Sequence, residues 1–361
     1  MRKKAVLFAA VATALVAVVA PAANAEGGDT ARGAVYALTN STSGNGVAYY
    51  ARSASGALTY VATYATGGNG TGAGLGSQGA VAVAGDTLFA VNAGSDSISA
   101  FAVHDGALNL ETTFASNGVR PISLTVHGNL LYVLNAGGSG SIAGFRLGGG
   151  DVEELDGSTQ PLLGTNPAQI SFSPDGSTLV VTEKGSQTID TFSVGRHGIA
   201  QPGVSSPSAG ATPFGFAFDN RGRAFVSEAA GSASSYSIDA AGAQLITGPV
   251  LTHQAAPCWL VVTKNGRFAY TANAGAGSIS GFSIAPAGSI ALLDPSTGVT
   301  ANLGAGSHPL DEAVSEDGRF LYVLVDGRHT IAGFSVGVDG SLTPVGEVGT
   351  LPAGAIGLAS L

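Results

Sequence analysis

Leu88-Phe89-Ala90-Val91-Asn92-Ala93-Gly94-Ser95-Asp96-Ser97-Ile98-Ser99-Ala100-Phe101 decides the fold, because it recurs. It returns as Leu131-Tyr132-Val133-Leu134-Asn135-Ala136-Gly137-Gly138-Ser139-Gly140-Ser141-Ile142-Ala143-Gly144-Phe145. A third copy runs Phe268-Ala269-Tyr270-Thr271-Ala272-Asn273-Ala274-Gly275-Ala276-Gly277-Ser278-Ile279-Ser280-Gly281-Phe282. Looser copies span 179–192, 224–236 and 321–334, and a degenerate one 35–49. The closing aromatics Tyr49, Phe101, Phe145, Phe192, Tyr236, Phe282 and Phe334 lie 52, 44, 47, 44, 46 and 52 residues apart. Self-similarity at such a period marks a repeat architecture.

Each unit reads as four short strands. An apolar first strand follows a proline, as in Pro167-Ala168-Gln169-Ile170-Ser171-Phe172. A tight turn comes next, such as Asp175-Gly176, Asn265-Gly266 or Asp317-Gly318, whose residue types suit a two-residue hairpin. The Leu-Tyr-Val run is the second strand and Ile-x-x-Phe the third, with a variable fourth strand after another glycine turn. The expected fold is all-β, a seven-bladed β-propeller of four-stranded antiparallel blades. Unit one starts at its second strand, Ala34 to Leu38, and the sequence ends on Leu351 to Ala359, which reads as a lone first strand. Pairing the two closes the ring and leaves no free sheet edge.

Composition agrees with this. The 361 residues include 55 Gly, 45% are hydrophobic and only 11% charged, too little charge for the wet faces of helices. Glycine does not recur every third residue, which excludes collagen, and the apolar content excludes disorder. Residues 1–25 read as a secretory signal peptide: Arg2, Lys3 and Lys4, an apolar run from Ala5 to Ala20, then Ala23-Asn24-Ala25. An uncleaved anchor is the competing reading. The expected mature domain is 26–361, secreted and monomeric, without a membrane anchor. Removing the leader leaves 12 Lys and Arg against 24 Asp and Glu, a net charge of −12 that disfavours nucleic acid. Cys258 stands alone, so no intrachain disulfide forms.

In a propeller, the loops before first strands and those joining second to third strands open on one face, here called the upper face. His253, His308 and His329 fall there, with Arg120, Lys184, Trp259, Asp311, Glu312 and Arg328. His104, His127 and His197 fall on the far face, in or beside hairpin turns. Second strands end in Asn92, Asn135, Glu183, Glu228 and Asn273. The asparagines suit caps that bond backbone two residues on. The glutamates suit either ion pairing or a ligand site, since a buried carboxylate is costly. No metal-ligand spacing, nucleophile elbow or phosphate loop is present, and no metal or cofactor is expected. Gly68-Asn69-Gly70-Thr71-Gly72 has no helix after it.

The units, with Ser173-Pro174-Asp175-Gly176 and the Tyr-Val-x-Asn-x-Gly-x-x-Ser-Ile pattern, resemble the lactonase-type seven-bladed propellers, 6-phosphogluconolactonase-like proteins and carboxymuconate cyclases. They are also similar to bacterial surface propellers of Tyr-Val-Thr-Asn repeats. The resemblance covers 33–361. It implies a Gly-Pro-Arg-His segment entering one first strand and a Glu ending the next. Here that segment is Ala211-Thr212-Pro213-Phe214-Gly215, so Phe214 replaces the Arg and Gly215 the His; only Glu228 matches. Three readings follow. The first is a secreted propeller that binds a small molecule or surface partner at its central channel through Arg120, Asn92, Asn135, Asn273, Trp259, Asp311 and Arg328. The second is a divergent lactone hydrolase or cyclase that uses Glu228 and Glu183 with His253 or His308. The third is a structural surface propeller.

Overall fold

The computed structural model describes residues 33–149, 151–239 and 241–361; the expected signal peptide lies outside the described residues. Seven antiparallel sheets are present, five of four strands and two of five. In blades three and six the outer strand is split, with Asp151–Glu154 and Gln160–Pro161 both pairing Ser141–Gly148, and Ile290–Leu292 and Ala301–Asn302 both pairing Ser278–Ile284. The inner strands, Val81–Ala84, Pro121–His127, Pro167–Phe172, Pro213–Phe218, Pro257–Val262, Pro309–Val314 and Ile356–Ser360, touch one another in a closed ring around the axis.

The ring closes as the sequence implied. Ile356–Ser360 pairs with Gly33–Leu38, with Tyr36 opposite Ala359 and Ala37 opposite Leu358, while Leu351 to Ala355 forms a loop rather than strand. Arg52 reinforces the seam, its guanidinium 3.1 Å from Asp317 of blade seven.

Gly85-Asp86, Asp105-Gly106 and Gly128-Asn129 form the expected two-residue hairpins, but the turns at Asp175, Asn265 and Asp317 do not. In blade four the Ser173 N–H donates to Thr178 O and the Gly176 N–H to Ser173 O, with the same pattern from Thr263 to Phe268 and from Ser315 to Phe320. Only glycine takes positive φ there (71° at Gly176), while Asp175 accepts bonds from Ser177. The aspartate therefore caps the turn instead of entering the left-handed region.

The second-strand tyrosines stitch blades together. Tyr36, Tyr132, Tyr270 and Tyr322 are fully buried, and each hydroxyl donates to a turn carbonyl of the next blade: Gly106, Gly198, Gly340 and Gly56, at 2.7–2.9 Å. Apolar side chains fill the rest of each interface, so the blades need few charges.

Candidate functional site

The residues ending the second strands lie at 0% exposure between blades. They do not bond backbone two residues on. Asn92 Nδ2 donates to Ser99 Oγ (2.8 Å), Asn273 Nδ2 to Ser280 Oγ (2.9 Å), and Asn135 Nδ2 to Ser116 O (3.0 Å). Each of Asn92, Asn135, Glu183 and Glu228 also meets a crossover glycine: Gly68, Gly118, Gly164 and Gly210, where a Cβ would overlap it. The position is thus an anchor against which the incoming chain packs, and glycine is required by the close approach.

Glu228 fills this anchor with its carboxylate. It accepts from the Gly210 N–H (2.8 Å), from Ser234 Oγ (2.6 Å) and from Ser232, Ser208 and Tyr236. Glu183 is less well served. Ser186 reaches it at 3.5 Å and the Gly164 amide lies beside it, while Glu183 Oε1 and Asp190 Oδ2 have no partner among the described residues. Burial, with the Asp190 carboxyl beside it, pushes Glu183 up to about 8. A proton held between the two carboxyls accounts for both orphaned oxygens. No histidine bonds to either glutamate; His253 and His308 are exposed on the upper face.

The centre of the ring holds a feature the sequence did not disclose. The crossover from blade one to blade two has fifteen residues, 66–80, against five to seven in the others. The extra length runs across the axis. Ser77 Oγ donates to Ile122 O (2.9 Å), the Gln78 N–H to Ala168 O (3.2 Å), and the Leu124 N–H to Gly79 O (2.9 Å). Gln78 spans to blade six, where its amide donates to Leu260 O (2.8 Å) and accepts from the Leu260 N–H (3.0 Å). Trp259 Nε1 donates to Ser77 O at 2.9 Å, and Lys184 Nζ donates to Gly76 O. Gln169 makes the same paired bonds to Phe216, so side-chain amides bridge inner strands at two places. Gly68 to Gly72 is the root of this plug, pressed backbone to backbone against Asn40 and Gly94. The signal in the sequence was the 52-residue first spacing.

The plug also reaches Gly215. A Cβ at Gly215 would overlap Gln78 Oε1. Beside it, the Lys184 ammonium stands 4.7 Å from the centre of the Phe214 ring, and Phe214 packs on Trp259 at 4.9 Å. A cation from blade four therefore sits over Phe214. Burial and the nearby charge of Arg120 lower Lys184 to about 8. Trp259 is 7% exposed and its indole is engaged with the plug. Cys258 is buried, its thiol pushed up to about 12 and so protonated.

Asp311 faces the plug from blade seven. Burial pushes it up to about 7, opposed by the Glu312, Leu358 and Gly79 amides, and burial holds Glu312 well above the carboxylate range. Arg120 and His308 are exposed at matching positions, each just before a proline with φ of 57° and 46°, and each turns its carbonyl to the N–H after the second strand. Arg328 is tied to Glu347 at 2.7 Å on the outer side of blade seven. The structure thus brings together Arg120, Lys184, Trp259 and the plug near the axis, and leaves the anchors Asn92, Asn135, Asn273 and Glu228 between blades. Among the described residues no three His, Cys, Asp or Glu side chains cluster as a metal site requires.

The sequence pattern of the family described as lactonase, 7-bladed beta-propeller, matches residues 37–155 and 224–313, more than half of the chain. No curated protein matches the sequence. Solved structures share the fold across nearly the whole molecule. A protein from Lactobacillus plantarum is 17% identical, with 92% of this chain and 100% of that one covered and a TM-score of 0.75. A provisionally named 6-phosphogluconolactonase from Bacteroides fragilis is 18% identical (91% and 98% covered, TM-score 0.71). A periplasmic gluconolactonase from Pseudomonas aeruginosa is 18% identical (91% and 99% covered, TM-score 0.67). The match over more than half the sequence, on a ring of seven such blades, makes this chain a member of the lactonase seven-bladed β-propeller family.

Proposed function

We propose that the chain is an exported propeller that binds a small carboxylate-bearing molecule at the axial mouth of its upper face and does not turn it over. The carrying observation is the pairing of Lys184 over Phe214 with Gln78 filling the space beside Gly215. A half-buried ammonium next to Arg120 favours a carboxylate, because an anion between the two cations offsets their mutual repulsion. Lactone opening or formation needs a proton-transferring group within reach of the substrate, and Glu183 and Glu228 are committed between blades. Export is supported by the basic start, apolar run and small-residue site of 1–25, and by the periplasmic relative.

The test is a panel of gluconolactones, muconolactones and acyl lactones with their open acids. Binding of an acid that falls about tenfold or more in Lys184→Met, without lactone turnover above that of Glu228→Gln, supports the reading. Turnover abolished by Glu228→Gln overturns it in favour of a divergent lactonase.

A further inference from the structure

The far face carries a groove with an excess of basic side chains. Two clefts of about 300 Å³ each lie between the hairpin turns of blades four, five and six, and they share Asn220 and Arg221. The cleft between blades five and six is lined by Arg221, Arg223 and Arg267 with the amides Asn220 and Asn265; its one acid, Asp219, is spent on Arg223 (Nε to Oδ2, 2.8 Å). That leaves an excess of positive charge in a chain whose net charge is −9. The Arg267 guanidinium stacks 5.2 Å from the Phe268 ring centre and takes no acceptor among the described residues, while Arg221 spends one N–H on Pro286 O. Lys264 is exposed on the same turn. The adjoining cleft is of another kind: Ser173, Ser177 and Thr178 line it with Asp175, which accepts from Ser173 and Ser177, giving one acid and three hydroxyls.

We propose that these joined clefts bind an acidic oligosaccharide, with a uronate carboxylate between Arg221 and Arg267 and the hydroxyls of the neighbouring sugar on Asp175 and Asn220. Guanidinium groups match a carboxylate in geometry and remain charged at all relevant pH. Carboxylates, amides and hydroxyls exchange bonds readily with sugar hydroxyls. A ligand confined to one cleft would use only half of the groove. Two adjoining clefts of unlike chemistry fit an oligomer whose units offer both a carboxylate and hydroxyls. The site faces away from the axial mouth and does not depend on what binds there.

Galacturonate oligomers are the probe, with galacturonate monomer, a neutral oligosaccharide and polyphosphate as comparisons, measured by calorimetry at low and physiological salt. The oligomer is expected to bind at least about tenfold tighter than the monomer. Arg221→Ala and Arg267→Ala each weaken it by about tenfold or more, with unchanged melting curves, since both side chains are exposed. Lys184→Met leaves it unaffected. The proposal fails if the oligomer does not bind, if the double variant binds as well as wild type, or if the neutral glycan binds equally. Polyphosphate binding as tightly as galacturonate overturns it too, reducing the groove to a basic surface.

Discussion

Replacing Gln78 by alanine tests whether the channel is closed by its own chain. The substitution removes two hydrogen bonds, 2.8 and 3.0 Å, and leaves the Leu260 N–H and carbonyl without partners in a buried strand. Each buried group left orphaned costs about 1–3 kcal/mol, so the two together cost about 2–6 kcal/mol. Gln169→Ala is the matched control. It deletes the same pair of bonds, 2.9 and 2.7 Å, from a side chain that sits within a strand rather than on the crossover. Both variants are expected to lose similar stability in urea at constant m-value. They separate by fluorescence. Trp259 is the sole tryptophan of the sequence and its indole N–H is bonded to Ser77 of the plug. Releasing the plug in Gln78→Ala wets the indole and shifts its emission to the red, and amides 76–79 exchange faster. Gln169→Ala leaves the emission in place. A Gln78→Ala protein within about 0.5 kcal/mol of wild type, with unshifted emission, would refute the reasoning that this side chain holds the plug.

Three further outcomes are expected. Glu183 keeps its proton to about pH 8 when folded but releases it near 4.5 when unfolded, and Asp311 behaves alike between 3.8 and about 7. The folded state therefore binds more protons through this window, so stability declines as pH rises from about 5 to 8; thermal melts should show the decline, and Glu183→Gln should flatten it by an amount on the order of a few kcal/mol, whereas a constant or rising melting temperature contradicts it. Glu228→Ala, which strands the Gly210 N–H and two serines, should destabilise by about 3 kcal/mol in urea, and Glu228→Gln by distinctly less. Tyr322→Phe leaves Gly56 O unpaired across the seam between blades seven and one, and should lose about 1 kcal/mol; no loss would show the stitch to be idle.

The frame was legible because its causes are local. The Leu-Tyr-Val run and the Asp-Gly turns act over fewer than ten residues, and repetition multiplied the signal. Ring closure was legible for a related reason, since the unmatched strands at the two ends are each recognisable alone. The turn geometry was missed in detail because Asp175 suits both a left-handed position and a side-chain cap. The plug was invisible for a different reason. Residues 66–80 have no apolar period, and Gln78 finds its partner 182 residues away. Only the surplus spacing hinted at it. Trp259 looked like a ligand platform for the same reason, because nothing nearby in sequence covers it. The glutamates were harder to read than their asparagine counterparts, yet Glu228 does the anchor's work at the same place in the repeat. Lys184 gained its importance only from Phe214, thirty residues on, which the fold sets beneath it.

The seam between Gly33–Leu38 and Ile356–Ser360 also bears on how the molecule comes apart. Open arrays of repeats fray from their terminal units, since those have one neighbour rather than two. A closed ring has no terminal unit. Every blade is flanked on both sides, and the first strand formed waits for the last one before either is fully paired. Long-range pairing of this kind slows folding, and loss of any one blade opens the whole circle. Unfolding should therefore be a single transition, and partly melted rings should be scarce even close to the midpoint.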